Sequence, residues 1–156
     1  MAHFAIQFGK TQHGKQYKER PSVYGICAGE GGKIAIARIG DKQNHHFDLP
    51  GGGIESQESE PEALIREYEE EVGIPIWPLR QLGRAGQYWI NEDIPVNSLA
   101  SFYEVEITGA IAKPTEIDHS LVWMSVEDAI KKVRHESHAW AILSWDRERY
   151  WDAKGR

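Results

Sequence analysis

The sequence predicts an α/β domain with a mixed β-sheet between helices, a single unit over residues 1–156. Three observations predict it. A chain of 156 residues with 40% hydrophobic content suits one domain around one core. Segments rich in β-branched and aromatic residues stand on both sides of one strongly capped helix. Two more helical stretches follow the last of those segments.

The elements follow in order. Phe4 to Phe8 reads as a short strand, and the polar, basic stretch Lys10 to Arg20 as a loop. Gly9-Lys10-Thr11 resembles the end of a phosphate-binding P-loop, but position 4 is Phe where that motif needs Gly, so a P-loop is rejected. Ser22–Gly29 and Lys33–Ile39 read as strands joined by a hairpin turn at Glu30-Gly31-Gly32. His45 to Leu49 leads into Pro50-Gly51-Gly52-Gly53, read as an irregular loop. Ser59 to Glu71 is the clearest helix. Ser59 is a good N-cap, Pro61 falls in the first turn, Glu62 sits at the capping-box position, and Gly73 lies just past the end. Trp77–Ile90 and Leu99–Ile107 read as strands separated by the turn-rich Asn91 to Ser98. Leu121–Met124 is a short strand, Ser125 caps a helix to about Arg134, and Ser137–Tyr150 is a last, Trp-rich helix.

The formal net charge is −6, which argues against a nucleic-acid polymer as partner. No apolar run approaches the roughly 20 residues that cross a bilayer, so no membrane partner is expected. The N-terminal residues have no basic head followed by an apolar stretch, so a signal peptide is not expected either. Cys27 is the only cysteine and reads as a small core residue, with a cytoplasmic location following. The acid is concentrated: between Gly51 and Ile74 there are eight Glu and one Arg, a local charge of −7.

On a helical wheel Leu64, Ile65, Tyr68 and Val72 share one side, while Glu67, Glu70 and Glu71 fall together at i, i+3 and i+4. Each like-charged pair costs an isolated helix roughly 0.2–0.5 kcal/mol. These acids also occupy the last turn, where the helix dipole favours cations. Two local rules are broken at one place, a pattern expected of functional sites. A divalent cation reverses both penalties, and magnesium prefers such oxygen ligands. A solvated acidic face is the competing reading. The preceding Gly51-Gly52-Gly53 shifts the balance, because consecutive glycines let backbone approach a ligand and offer a carbonyl to a metal.

These residues resemble the Nudix box, in which Gly, five residues, Glu, seven residues, Arg-Glu, an aliphatic residue, any residue, Glu-Glu, any residue, Gly and an aliphatic residue follow one another. Here the positions are Gly52, Glu58 and Arg66-Glu67-Tyr68-Glu69-Glu70-Glu71-Val72-Gly73-Ile74, which span about a seventh of the chain. Tyr68 stands where the family has an aliphatic residue, and Gln57 where a Gly is common. The resemblance implies an α/β/α sandwich and a hydrolase that directs water onto phosphorus in a nucleoside diphosphate linked to another group. It implies that Glu67, Glu70 and Glu71 bind magnesium (or manganese), with the Gly51 carbonyl as a further ligand and with Glu58 and Arg66 behind them. The general base is a box Glu or an acid from a later loop, where Glu116 and Asp118 are the candidates and a solvated turn is the competing reading.

By elimination among subfamilies, the expected substrate is a nucleoside triphosphate, as for a MutT-like pyrophosphatase. Another nucleoside diphosphate-linked compound and a non-catalytic sensing module of the same fold are the alternatives. A monomer or a homodimer is expected. Phe47, Tyr88 and Trp89 are the main candidates to stack on a nucleobase, with Trp77, Phe102 and Tyr103 behind them. His119 reads as a lone exposed histidine. His135 and His138 lack further partners at zinc-ligand spacing, and Lys10, Lys15, Lys18 and Arg20 are basic-loop candidates for phosphate contact.

Overall fold

The computed structural model describes residues 6–155. The elements run β1 (Gln7–Phe8), β2 (Lys18–Cys27), a 3-10 turn (Glu30–Gly32), β3 (Lys33–Gly40), β4 (His45–Asp48) and β5 (Gly51–Gly53). Then come α1 (Glu60–Val72), β6 (Ile76–Asn91), β7 (Ile94–Ile107), β8 (His119–Ser125), α2 (Val126–Lys132) and α3 (Glu136–Ala153). The expected α/β class with a mixed sheet is what the chain adopts. No helix among the described residues is long and apolar enough to cross a membrane.

The strands form two sheets. The larger has the order β1-β6-β7-β2-β5, with parallel pairs at β1–β6 and β2–β7 and antiparallel pairs elsewhere. The smaller is antiparallel, in the order β4-β3-β8. The expected β2–β3 hairpin does not exist. Only Ala28 and Ile34 bridge, and β2 and β3 then part into different sheets. The turn Glu30–Gly32 permits that parting: Gly31 and Gly32 both take left-handed backbone and swing the chain away.

Alternation along β3 shows why helices cover both faces. Ile34 and Ile36 join Ile26, Phe102, Ala141, Ile142 and Trp145 in the core under α2 and α3. Ala35 and Ala37 join Val23, Cys27, Leu64, Tyr68 and Val72 in the core under α1. A strand with apolar residues in both parities is buried on both faces, so the layers are helix, sheet, helix.

Other boundaries moved for identifiable reasons. The strand expected from Phe4 begins outside the described residues, and only Gln7–Phe8 is seen. β2 starts at Lys18, inside the expected loop, because its polar first residues pair in parallel with Val96–Ser98. The long turn expected over Asn91–Ser98 shrinks to Glu92-Asp93. Both take positive φ, +47° and +71°, the geometry of a tight hairpin turn, and Ile94–Ser98 pair with β6 instead. Gly51–Gly53 is not irregular: it pairs with Ser22–Tyr24 as β5.

α1 is set by its ends. The Ser59 side chain accepts a hydrogen bond from the Glu62 N–H, and Gly73 closes the helix in left-handed conformation. Tyr68, the box residue that departs from the family pattern, is fully buried and donates its hydroxyl to the Gly25 carbonyl at 2.6 Å. A Cβ at position 25 would stand 2.9 Å from the Tyr68 ring, so glycine there makes room for the larger side chain. Tyr68→Phe is therefore expected to cost about 1–3 kcal/mol, since it strands a buried carbonyl. Urea unfolding should show a lower midpoint at unchanged slope.

Candidate functional site

The glycine strand and the acidic helix meet edge to face. A Cβ on Gly52 would lie 2.7 Å from the Glu67 carboxylate, so only glycine lets β5 approach α1 this closely. The Gly51 N–H donates to Glu71 Oε1 at 2.9 Å. Arg66 gathers the rest. Its guanidinium holds Glu58 with two hydrogen bonds of 2.7 and 2.9 Å, Glu67 at 3.0 Å and Glu70 at 3.2 Å, and it also donates to the Gly53 carbonyl at 3.2 Å. Glu67 and Glu71 are buried, and Glu70 is about one-third exposed.

The loop before β8 closes the cluster. His119 Nε2 lies 3.2 Å from Glu71 and 3.3 Å from Glu116. Glu67, Glu70 and Glu116 bring oxygens within 4.8 Å of one another, and Glu71, Glu116 and His119 do the same with their ligand atoms.

The electrostatics reflect this crowding. Burial, then the charge of Glu71, pushes the Glu67 carboxyl up to about 7. Burial also raises Glu71, against the pull of His119 and the Gly51 N–H. The bond to Glu71 raises His119 to about 9. The Arg66 fork holds Glu58 down at about 2. A cluster of oxygen donors that one arginine cannot neutralise fits a hard divalent cation.

Beside the cluster lies a cleft of about 500 Å³. Its acidic wall carries Glu67, Glu71, Glu116 and His119. Arg20, Tyr24, His46, Asp48, Trp89 and Arg134 line the same cleft. The Arg20 guanidinium lies against Gly53, where a Cβ would meet it at 2.5 Å. Arg134 is gripped by buried Asp48 at 2.6 Å and lies 4.7 Å from the centre of the Trp89 ring. The cleft thus combines groups that suit cations with groups that suit phosphate oxygens and a planar ring.

Glu58, Arg66, Glu67, Glu70, Glu71, Glu116 and Gly51 are brought together. Asp118 is not: it is exposed, takes φ +70°, and stands outside the groups that share ligand distance. Trp89 lines the cleft, but Tyr88 packs edge-on against Tyr17 at 5.2 Å, and Phe47 lines a different groove. Adjacent strand residues point to opposite faces, which separates Tyr88 from Trp89 and Phe47 from His46 and Asp48. Trp77 is exposed, Phe102 is core, and Tyr103 donates to Glu60 at 2.7 Å. Of the basic-loop candidates only Arg20 lines the cleft. Gln57 sits at φ +66°, the left-handed conformation that favours the glycine it replaces.

The sequence reading missed several residues. His119 is not a lone exposed histidine, and the period-two pattern His119, Leu121, Trp123 pointed to the α1 side, where Leu121 and Trp123 pack. Asp48 and Arg134 lie 86 positions apart and had no local signal.

His135 and His138 are buried behind the cleft, and His138 Nδ1 accepts the Leu49 N–H at 3.1 Å. Burial lowers His135 to about 4 and His138 to about 3. Both values lie below the unfolded value of about 6.5, so the fold favours the neutral ring. That stability is present above about pH 6.5 and is lost as pH falls towards the two folded values. The His138 share, about 2 kcal/mol between pH 8 and pH 5, should appear as the difference in urea stability between the parent and a His138→Gln variant, with the parent's margin over the variant shrinking as pH falls.

A family model described as NUDIX domain matches residues 18–146. An RNA pyrophosphohydrolase of Acidiphilium cryptum is 33% identical over 86 residues, 53% of this chain and 51% of its own. An 8-oxo-(d)GTP phosphatase of Mycolicibacterium smegmatis is 28% identical over 115 residues, 73% of this chain and 34% of its own. The chain thus matches about half of one curated relative and a third of the other. A solved NUDIX hydrolase from Nitrosomonas europaea superposes with a TM-score of 0.71 at 17% identity, covering 84% of this chain and 90% of its own.

Proposed function

The chain belongs to the Nudix family, and from that membership and its site we propose that it hydrolyses a phosphoanhydride bond of a nucleoside triphosphate, in the manner of a MutT-like pyrophosphatase. The observation that carries this reading is the convergence of Glu67, Glu70, Glu71 and Glu116 at ligand distances beside a cleft that Glu67, Glu71 and Glu116 line together with Arg20, Arg134 and Trp89.

Glu67, Glu70 and Glu71 would hold a divalent cation, with magnesium preferred over manganese and the Gly51 carbonyl beside them. Bound there, the cation neutralises phosphate oxygens and makes a water more acidic. Arg66 fixes the carboxylates in place through Glu58, Glu67 and Glu70. Arg20 and Arg134 meet the phosphates of the substrate, and Trp89 offers its face to the base. Glu116, which neighbours both acidic groups, is the proposed proton acceptor in place of Asp118. His119, which lines the cleft beside them, orients Glu71 and Glu116. The single cysteine is buried, and burial pushes its thiol to about 11, which leaves it outside the chemistry.

The relative named for RNA supports a second reading, in which the triphosphate is the 5′ end of an RNA. The charge of −6 favours the mononucleotide. A panel of nucleoside triphosphates, oxidised guanine nucleotides and 5′-triphosphorylated RNA, incubated with magnesium and scored for phosphate and pyrophosphate, separates them. Release of pyrophosphate from a mononucleotide is expected. Turnover of RNA alone would replace the first reading with the second, and turnover of none would remove both.

A further inference from the structure

A second groove, of about 360 Å³, lies on the other side of β4 from the cleft, between the small sheet and α2. β4 alternates across the two: His46 and Asp48 line the cleft, His45 and Phe47 line the groove. Register places Arg38 directly opposite Phe47 on β3, so both project to this side.

The groove is basic within an acidic chain. Lys33, Arg38 and Lys132 line it, with Asp128 as its one carboxylate. None of the three cations is in an ion pair among the described residues, whereas the neighbouring Lys131 is paired with Glu127 at 3.0 Å. The Arg38 Nε is buried and has no hydrogen-bond partner. A buried donor on a guanidinium is costly to leave unmatched, and an oxyanion is the partner that matches it best. The Phe47 ring and Val122 supply an apolar flank.

We propose that this groove is a second anion site, which takes the phosphate or diphosphate of a phosphorylated small molecule between Arg38, Lys33 and Lys132. It adjoins the cleft through the backbone. The Phe47 carbonyl accepts the Arg134 N–H at 2.8 Å, and Arg134 is the residue that grips Asp48 across the strand. The site is independent of the catalytic reading, since it shares no side chain with the acidic cluster.

The test is calorimetric titration of inorganic pyrophosphate, and separately of adenosine monophosphate, into the full chain with a chelator present to keep the acidic cluster free of metal. Saturable binding of at least one probe is expected. Lys132→Gln, on an exposed position, and Arg38→Gln should each weaken it at least tenfold, while Glu70→Gln should leave it within a factor of two. Tighter binding of the monophosphate than of pyrophosphate assigns the site to nucleotides, and the reverse assigns it to the free anion. Absence of saturable binding, or unchanged binding in both groove variants, overturns the proposal. Loss of hydrolysis in Glu70→Gln bears on the catalytic reading alone.

Discussion

Replacing Glu70 by Gln lowers cation-dependent hydrolysis by about 10²–10³-fold and leaves the fold intact. The two halves of that expectation come from different physics. Glu70 is the most exposed of the three helix acids, and Gln has its shape, so packing does not change. The substitution also removes one of the like charges at i+3 and i+4, which relaxes the helix. The Gln carbonyl still accepts from Arg66, now without a charge to strengthen the bond. The cation site loses a full negative charge at a point where Glu67, Glu70 and Glu116 share ligand distance. The kcat/KM should fall with urea stability equal to or above that of the parent. Parent-like turnover would mean that the chemistry lies elsewhere.

Arg66→Ala is expected to have the largest effect on stability, a loss of about 3 kcal/mol. Arg66 is three-quarters covered and meets three carboxylates within 3.2 Å. Its removal leaves Glu67 buried without its hydrogen-bond partner and Glu58 with only the Glu55 N–H. Glu58 should rise from about 2 towards the ordinary carboxylate range. The pH dependence follows from Glu67, whose folded value of about 7 lies above its unfolded one. A raised carboxyl contributes stability below the unfolded value and loses it as pH rises through the folded value. The cation-free variant should therefore weaken as pH rises through 7, more steeply than the parent. Magnesium, expected to bind only the folded cluster, should restore part of the loss. Thermal melts with and without magnesium at pH 6 and 8 check this. Equal melting of variant and parent in chelator would show that Arg66 does not hold the cluster.

The acidic helix was legible because everything that defines it is local. Ser59 and Gly73 mark its ends, and the 3.6-residue period separates Tyr68 and Val72 from the acids. The clash of three Glu with the helix dipole marks the chemistry. Residues whose roles come from tertiary pairing were not legible. Gly51–Gly53 has no strand propensity and becomes β5 only because its bare backbone fits between β2 and α1. Ser22–Gly29 and Lys33–Ile39 each read correctly as strands, but no local signal says that they pair with β7 and β8 rather than with each other. Tyr88 and Trp89 could have been divided by strand alternation once one of them was placed. Arg134 could not, because it follows a helix and reaches Asp48 only through the bridge of Val133 to Phe47 on β4.

The most direct measurement is a manganese titration followed by electron paramagnetic resonance, with free and bound ion counted in the parent, Glu67→Gln and Glu70→Gln. The account predicts stoichiometric uptake by the parent, competition by magnesium, and at least tenfold weaker uptake by each variant. Equal uptake by all three proteins, or none by the parent, would contradict it.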